Sequence, residues 1–161
     1  MGKLFLNILF GLMPLIHFMY NGTSLLKYCA VAIAEKPVVL TWEMLFKVVL
    51  VEKYSTKYKT KINVPEFDYT LQKLDKKEVT ISGFVIPTVI NSNNFVRSQN
   101  PYASCYFCGN GGPETVMTIK YKGRPPKYKT DDFITLKGIF QLNNTDVNEL
   151  IYVLNNAVQV K

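Results

Sequence analysis

The chain has 161 residues, with 19 Lys and Arg against 12 Asp and Glu and a net charge of +7. That length suits one domain with a core of useful size, and ten Tyr and ten Phe make the chain rich in aromatic side chains. Its single histidine, His17, falls within the first 34 residues. A chain trimmed of that segment would lack His-based acid–base catalysis, Ser–His or Cys–His nucleophiles and self-contained Cys/His zinc sites.

Residues 1–34 read as a signal peptide. Lys3 gives a positive start, and Leu4 to Tyr20 form an apolar run broken by Asn7, Gly11, Pro14 and His17. A second apolar run, Leu25 to Ala34, carries small residues at Ala30, Ala32 and Ala34 that suit cleavage before Glu35-Lys36-Pro37. The alternative is a membrane anchor formed by residues 4–20, a run at the lower length limit for a bilayer span. Lys27 and Tyr28 stand where lipidation at Cys29 would want small residues. Export to the periplasm or cell envelope is the expected reading, with residues 35–161 as one domain. Without Lys3 and Lys27 the charge falls from +7 to +5.

Val38-Val39-Leu40 precedes Thr41, which is placed to cap one short helical turn through Trp42-Glu43-Met44-Leu45. Trp42, the only tryptophan, is expected in the core. Val48 to Val51 reads as a strand, and the tyrosine–lysine stretch from Lys53 to Lys61 as strand end and loop reaching Pro65-Glu66-Phe67. Phe67, Leu71 and Leu74 fall on one face of a short helix. From Glu78 to Pro87 the period becomes two, with Gly83 placed where a barrel strand bends or bulges. Asn91 to Asn94 is expected to turn, and Phe95-Val96-Arg97 to begin the return strand. Alternation resumes over Thr115 to Tyr121, again over Asp131 to Leu142 around Gly138, and finally from Leu150 toward Val158. Between these, Gly123-Arg124-Pro125-Pro126 makes a rigid loop.

Five to six strands, two with interior glycines, with one or two short helices, predict a mainly β fold. The expected form is a small antiparallel OB-like β-barrel; a β-sandwich is the alternative that spacing alone does not separate. Basic residues interleaved with tyrosines recur in Lys53–Lys61 and Lys120–Lys129. They are read as solvated, edge-blunting faces, so nucleic acid is not an expected partner.

The loop from Asn100 to Glu114 holds Cys105 and Cys108, the two cysteines outside the leader. Four readings stay open. One is a disulfide or redox couple, though so short a ring removes little chain entropy. The Gly109-Asn110-Gly111-Gly112-Pro113 that follows also denies Cys105 the helix N-terminus of a thioredoxin-like centre. Another is a metal knuckle for zinc or copper, with Glu114 and Met117 as further ligands. A third is a ligand-binding rim formed by Gly109, Gly111, Gly112, Pro113 and Glu114. In the fourth, the cysteines and Tyr102, Tyr106 and Phe107 simply pack the loop.

The runs Gly83-Phe84-Val85-Ile86-Pro87, Asn100 to Gly109 with Gly112-Pro113-Glu114, and Thr130-Asp131-Asp132 to Gly138 together resemble uncharacterised exported proteins of Bacteroidota. These are related to a wider bacterial domain of unknown function found in periplasmic or lipoprotein-like chains. The resemblance covers roughly residues 40–158, and the cysteine loop is its most specific part. The wider family carries one cysteine followed by a proline-rich stretch here, so Cys108 belongs to a subgroup. The resemblance implies compartment and an OB-like fold more than an activity. The expected function is a non-enzymatic binding or accessory module of the cell envelope, partnered by a protein or a metal ion through the CxxC loop. Membrane association would run through residues 1–34. The alternatives are a thiol–disulfide protein using Cys105 and Cys108, and a purely structural partner-binding protein.

Overall fold

The computed structural model describes residues 36–86 and 94–160. The expected leader, Pro87 and most of the expected Asn91–Asn94 turn lie outside the described residues. Among the described residues eight strands and two short α-helices follow one another: β1 (Val38–Val39), α1 (Trp42–Leu45), β2 (Val48–Ser55), β3 (Thr60–Phe67), α2 (Tyr69–Leu74), β4 (Glu78–Ile86), β5 (Asn94–Ser98), β6 (Val116–Tyr121), β7 (Phe133–Leu142) and β8 (Tyr152–Val160).

Five strands close a barrel in the order β4-β5-β6-β8-β7 and back to β4, and β1 lies outside it on β4. With the barrel strands numbered along the chain, the order is 1-2-3-5-4-1, the Greek-key circuit of an OB-fold. All barrel seams are antiparallel except one: β6 and β8 run parallel, with Thr118 opposite Val153 and Ile119 opposite Leu154. The expected OB-like barrel is thus antiparallel at every seam but that one. A strand that returns by a long crossover enters the gap in its neighbour's own direction.

Period-two patterning builds the wall. Val79 and Ile81 of β4, Met117 and Ile119 of β6, Leu136 and Phe140 of β7, and Tyr152 and Leu154 of β8 point into one buried cluster. One end of the barrel, here called the lower end, is stoppered by the N-terminal elements. Leu45 and Leu71 join the core, and the Tyr152 hydroxyl donates to the Leu45 carbonyl at 2.6 Å. Trp42 packs against the same cluster and donates its indole N–H to the Ser82 carbonyl at 2.8 Å. A Cβ at Gly83 would lie 3.1 Å from the Trp42 ring, so a bare α-carbon makes room for it.

Thr41 does precede α1, but its side chain makes no capping hydrogen bond. Asp68 does the capping in this region, accepting from the Leu71 N–H at 2.9 Å at the start of α2. That bond holds the Asp68 carboxyl below the ordinary Asp range. A depressed carboxylate contributes stability at neutral pH that is lost as pH falls through its folded-state pKa. Asp68→Ala should therefore unfold at lower urea than the parent at pH 7, and the gap between the two midpoints should close as pH falls through the folded-state pKa of Asp68; a gap unchanged by acid would rule the cap out.

The tyrosine–lysine stretch, expected as strand end and loop, is instead a regular hairpin. β2 and β3 pair from Val48 opposite Phe67 to Ser55 opposite Thr60. Its strands were hard to read because neither face is sealed, so Lys and Tyr occupy positions that a barrel wall would give to Val or Ile. Ion pairs Lys53–Glu66 (2.8 Å) and Lys61–Glu52 (2.7 Å) cross the ribbon.

Candidate functional site

Three short 3-10 turns fold the cysteine loop, Tyr102–Ser104, Tyr106–Cys108 and Pro113–Thr115. The Tyr102 N–H donates to Asp131 Oδ1 at 2.7 Å, tying the loop to the segment before β7. At its other end the Thr115 hydroxyl donates to the Gly112 carbonyl at 2.7 Å, and Glu114 folds its carboxylate back against Gly112.

The two cysteines have different fates. Cys105 is fully buried in a second apolar cluster with Ile86, Val96 and Val116, on the outer wall of the barrel. Cys108 is exposed, and its thiol donates to the Tyr102 carbonyl at 3.2 Å. Desolvation and the neighbouring Cys105 sulfur push the Cys108 thiol above the ordinary cysteine value. A resting thiol that resists ionisation is the opposite of an activated redox nucleophile. In the folded protein, iodoacetamide at pH 8 should modify Cys108 slowly and leave Cys105 untouched until denaturant is added. Rapid double labelling of the native state would contradict this arrangement.

Of the proposed metal donors, the two cysteine sulfurs are neighbours but Met117 faces away from them. Met117 points into the barrel interior, while Cys105 sits behind Val116 on the outer face. Adjacent residues of one strand face opposite ways, so Met117 as a fellow ligand is corrected. Among the described residues no group of three or more His, Cys, Asp or Glu side chains is placed to hold a metal ion.

The loop does build one wall of a groove. Tyr106 and Pro113 face Leu50, Ile62 and Val64 of the β2–β3 hairpin, with Leu150 among the residues completing a cavity of about 450 Å³. The segment joining β7 to β8 forms the remaining side, and Asn143 holds it rigid. Its buried amide donates to the carbonyls of Asp146 (2.7 Å), Glu149 (3.1 Å) and Leu150 (3.2 Å). Its oxygen accepts from the N–H groups of Thr145 (3.2 Å) and Asp146 (3.0 Å). Asn143→Ala should cost about 2 kcal/mol and raise amide exchange across the segment, because several backbone groups lose their partner at once. Unchanged exchange would show that the segment is held by something else.

A larger depression of about 590 Å³, which shares Val64, Pro65 and Asn144 with the groove, includes Lys53, Glu66 and Asp75. Lys53 pairs with Glu66, and Asp75 accepts from the Leu142 N–H, so these polar groups are already engaged within the fold. The smaller groove has the unsatisfied apolar surface. Asn143, Ile62 and Val64 were absent from the sequence-derived site. The Asn143-Asn144-Thr145-Asp146 turn chemistry was the available signal for the first.

No family model and no curated protein matches this chain. Among solved structures it is similar to a DUF3299 family protein, a bacterial domain of unknown function, from Pseudomonas aeruginosa PAO1. The two share 12% identity with a TM-score of 0.48, over 79% of this chain and 98% of that one.

Proposed function

We propose that this OB-fold domain is a binding module of the cell envelope that takes a short apolar segment of a partner protein into the groove between its hairpin and two lower loops. One observation carries the reading: the hairpin, the cysteine loop and the β7–β8 segment converge on a single apolar trough of about 450 Å³. Ligand sites are concave and mostly apolar with a few fixed polar groups, and the Asn143-braced segment supplies those. Export rests on the apolar character of residues 1–34.

Cys105 serves this reading as the anchor of one groove wall, not as a ligand. The test is photo-cross-linking of the full chain in its native cells from a probe at Ile62, compared with one at Lys137 on the barrel wall. A discrete protein adduct from Ile62 alone, reduced by Val64→Asp, is the expected result. Adducts that are absent, or equal from both positions, would overturn the proposal. Cell fractionation of the same strains reports the compartment.

A further inference from the structure

At the upper end of the barrel, away from the groove, an arginine lies inside the wall. Arg97 of β5 pairs in register with Met117 and shares its inward face. Only 2% of its surface reaches solvent. One Nη donates to the Gly83 carbonyl at 3.2 Å, while the Nε has no partner. Among the described residues no carboxylate lies within ion-pair distance of it; Asp132 accepts instead from the Lys129 N–H at 2.7 Å. A second buried polar atom beside it, the Tyr121 hydroxyl, is also without a partner.

Aromatic rings roof these two groups. The Arg97 guanidinium lies 5.9 Å from the Tyr128 ring centre, at the outer limit of a cation–π contact. Phe95 stands edge-on to both Tyr121 (5.9 Å) and Tyr128 (6.0 Å). Tyr128 is latched by its hydroxyl to Gln159 at 3.0 Å. Burial drives the Tyr121 hydroxyl well above the ordinary tyrosine range, with Tyr128 and Arg97 both near enough to influence it. The segment carrying Tyr128 brings Arg124, Lys127 and Lys129, followed by Asp131 and Asp132, whose carboxylates accept from the Tyr102 and Lys129 N–H groups.

A buried guanidinium without a counter-charge is among the costliest arrangements a fold can hold, and it persists when an anion completes it. Arg97 and Tyr121 present a cationic fork and a hydroxyl donor, both with unused capacity, in a box that offers no anion of its own among the described residues. We propose that the upper end of the barrel binds a compact oxyanion of the phosphate class, held by the free donors of Arg97 and by the Tyr121 hydroxyl under the Tyr128 ring. Entry requires Tyr128 to swing aside, breaking its bond to Gln159. The guanidinium–phosphate pair is the geometry for which arginine is best suited.

The experiment is thermal unfolding of the full-length protein in sodium phosphate against sodium chloride at matched ionic strength, followed by calorimetric titration with inorganic phosphate. The unfolding midpoint should rise with phosphate and follow simple one-site linkage. Arg97→Met should abolish the rise, and Tyr121→Phe should weaken phosphate binding by about tenfold, the loss of one hydrogen bond to a charged group. No phosphate-specific rise in the parent, or one retained by Arg97→Met, would overturn the site, the latter placing the anion on surface lysines. If Arg97→Met does not fold, Tyr121→Phe decides, and unchanged phosphate affinity there would overturn it too. Free phosphate and a phosphomonoester headgroup share this chemistry, and flotation with phosphatidic acid vesicles separates them. Arg97-dependent flotation assigns the headgroup, and a phosphate shift without flotation assigns the free ion.

Discussion

Gly138→Ala should lose about 1–3 kcal/mol of stability, in the range that overpacking of a closed wall produces. A Cβ at 138 would stand 2.7 Å from the Asn155 carbonyl oxygen, 2.9 Å from Leu154 Cγ and 3.2 Å from the α-carbon of Ala157. Two of those three atoms belong to the backbone of β8, which cannot retreat. It is paired to β6 on one edge and β7 on the other, and both ladders shift register at this height, between Lys137 and Ile139 in β7 and between Ile119 and Tyr121 in β6. The wall turns its corner here, and the glycine is the space into which it turns. Urea unfolding followed by the fluorescence of Trp42 measures the loss. A variant within about 0.5 kcal/mol of the parent would show that β8 yields more easily than its two ladders imply.

Cys105→Ser should cost about 1–3 kcal/mol, because a more strongly hydrated hydroxyl replaces a thiol buried among Ile86, Val96 and Val116. Cys108→Ser should leave the melting temperature unchanged, since that side chain faces solvent. The same asymmetry should extend to binding. With Cys105 no longer packed on the outer wall, the loop that presents Tyr106 and Pro113 loses its anchor, and cross-linking from Ile62 should fall. With Cys108 replaced it should not. A metal or redox role would make the two substitutions equally damaging, so matched loss of binding in both would sink the packing account.

Much of the barrel could be read from the chain because its inward residues are apolar and its turns are rich in Gly and Pro. Val79 and Ile81, then Leu136 and Phe140, announce their strands directly. The hairpin could not be read this way. A two-stranded ribbon with both faces partly wet has no reason to alternate, and Lys53, Tyr54, Lys59 and Lys61 hide the pattern. The parallel β6–β8 seam is set by closure of the whole sheet, which no local window contains.

For the cysteine loop, spacing identified the place but not the division of labour. Cys105 and Cys108 differ by one 3-10 turn, enough to bury one and expose the other. Met117 was recoverable. Once Val116 packs beneath the loop, the same alternation that revealed β6 sends Met117 to the other face. Arg97 was not, because one arginine in a short strand gives no sign of which side of the wall it takes.

The parallel seam also dictates when this molecule can become itself. Thr118 must find Val153, a partner 35 positions further along the chain, and β8 supplies the edges that both β6 and β7 need. The β2–β3 hairpin and the β4–β5 pairing can form as soon as they are synthesised, but the barrel stays open until its last strand has been made. Such non-local pairing slows folding and leaves unpaired edges exposed meanwhile. A chain stopped before Tyr152 would be an open sheet in need of a chaperone, not a smaller version of the domain.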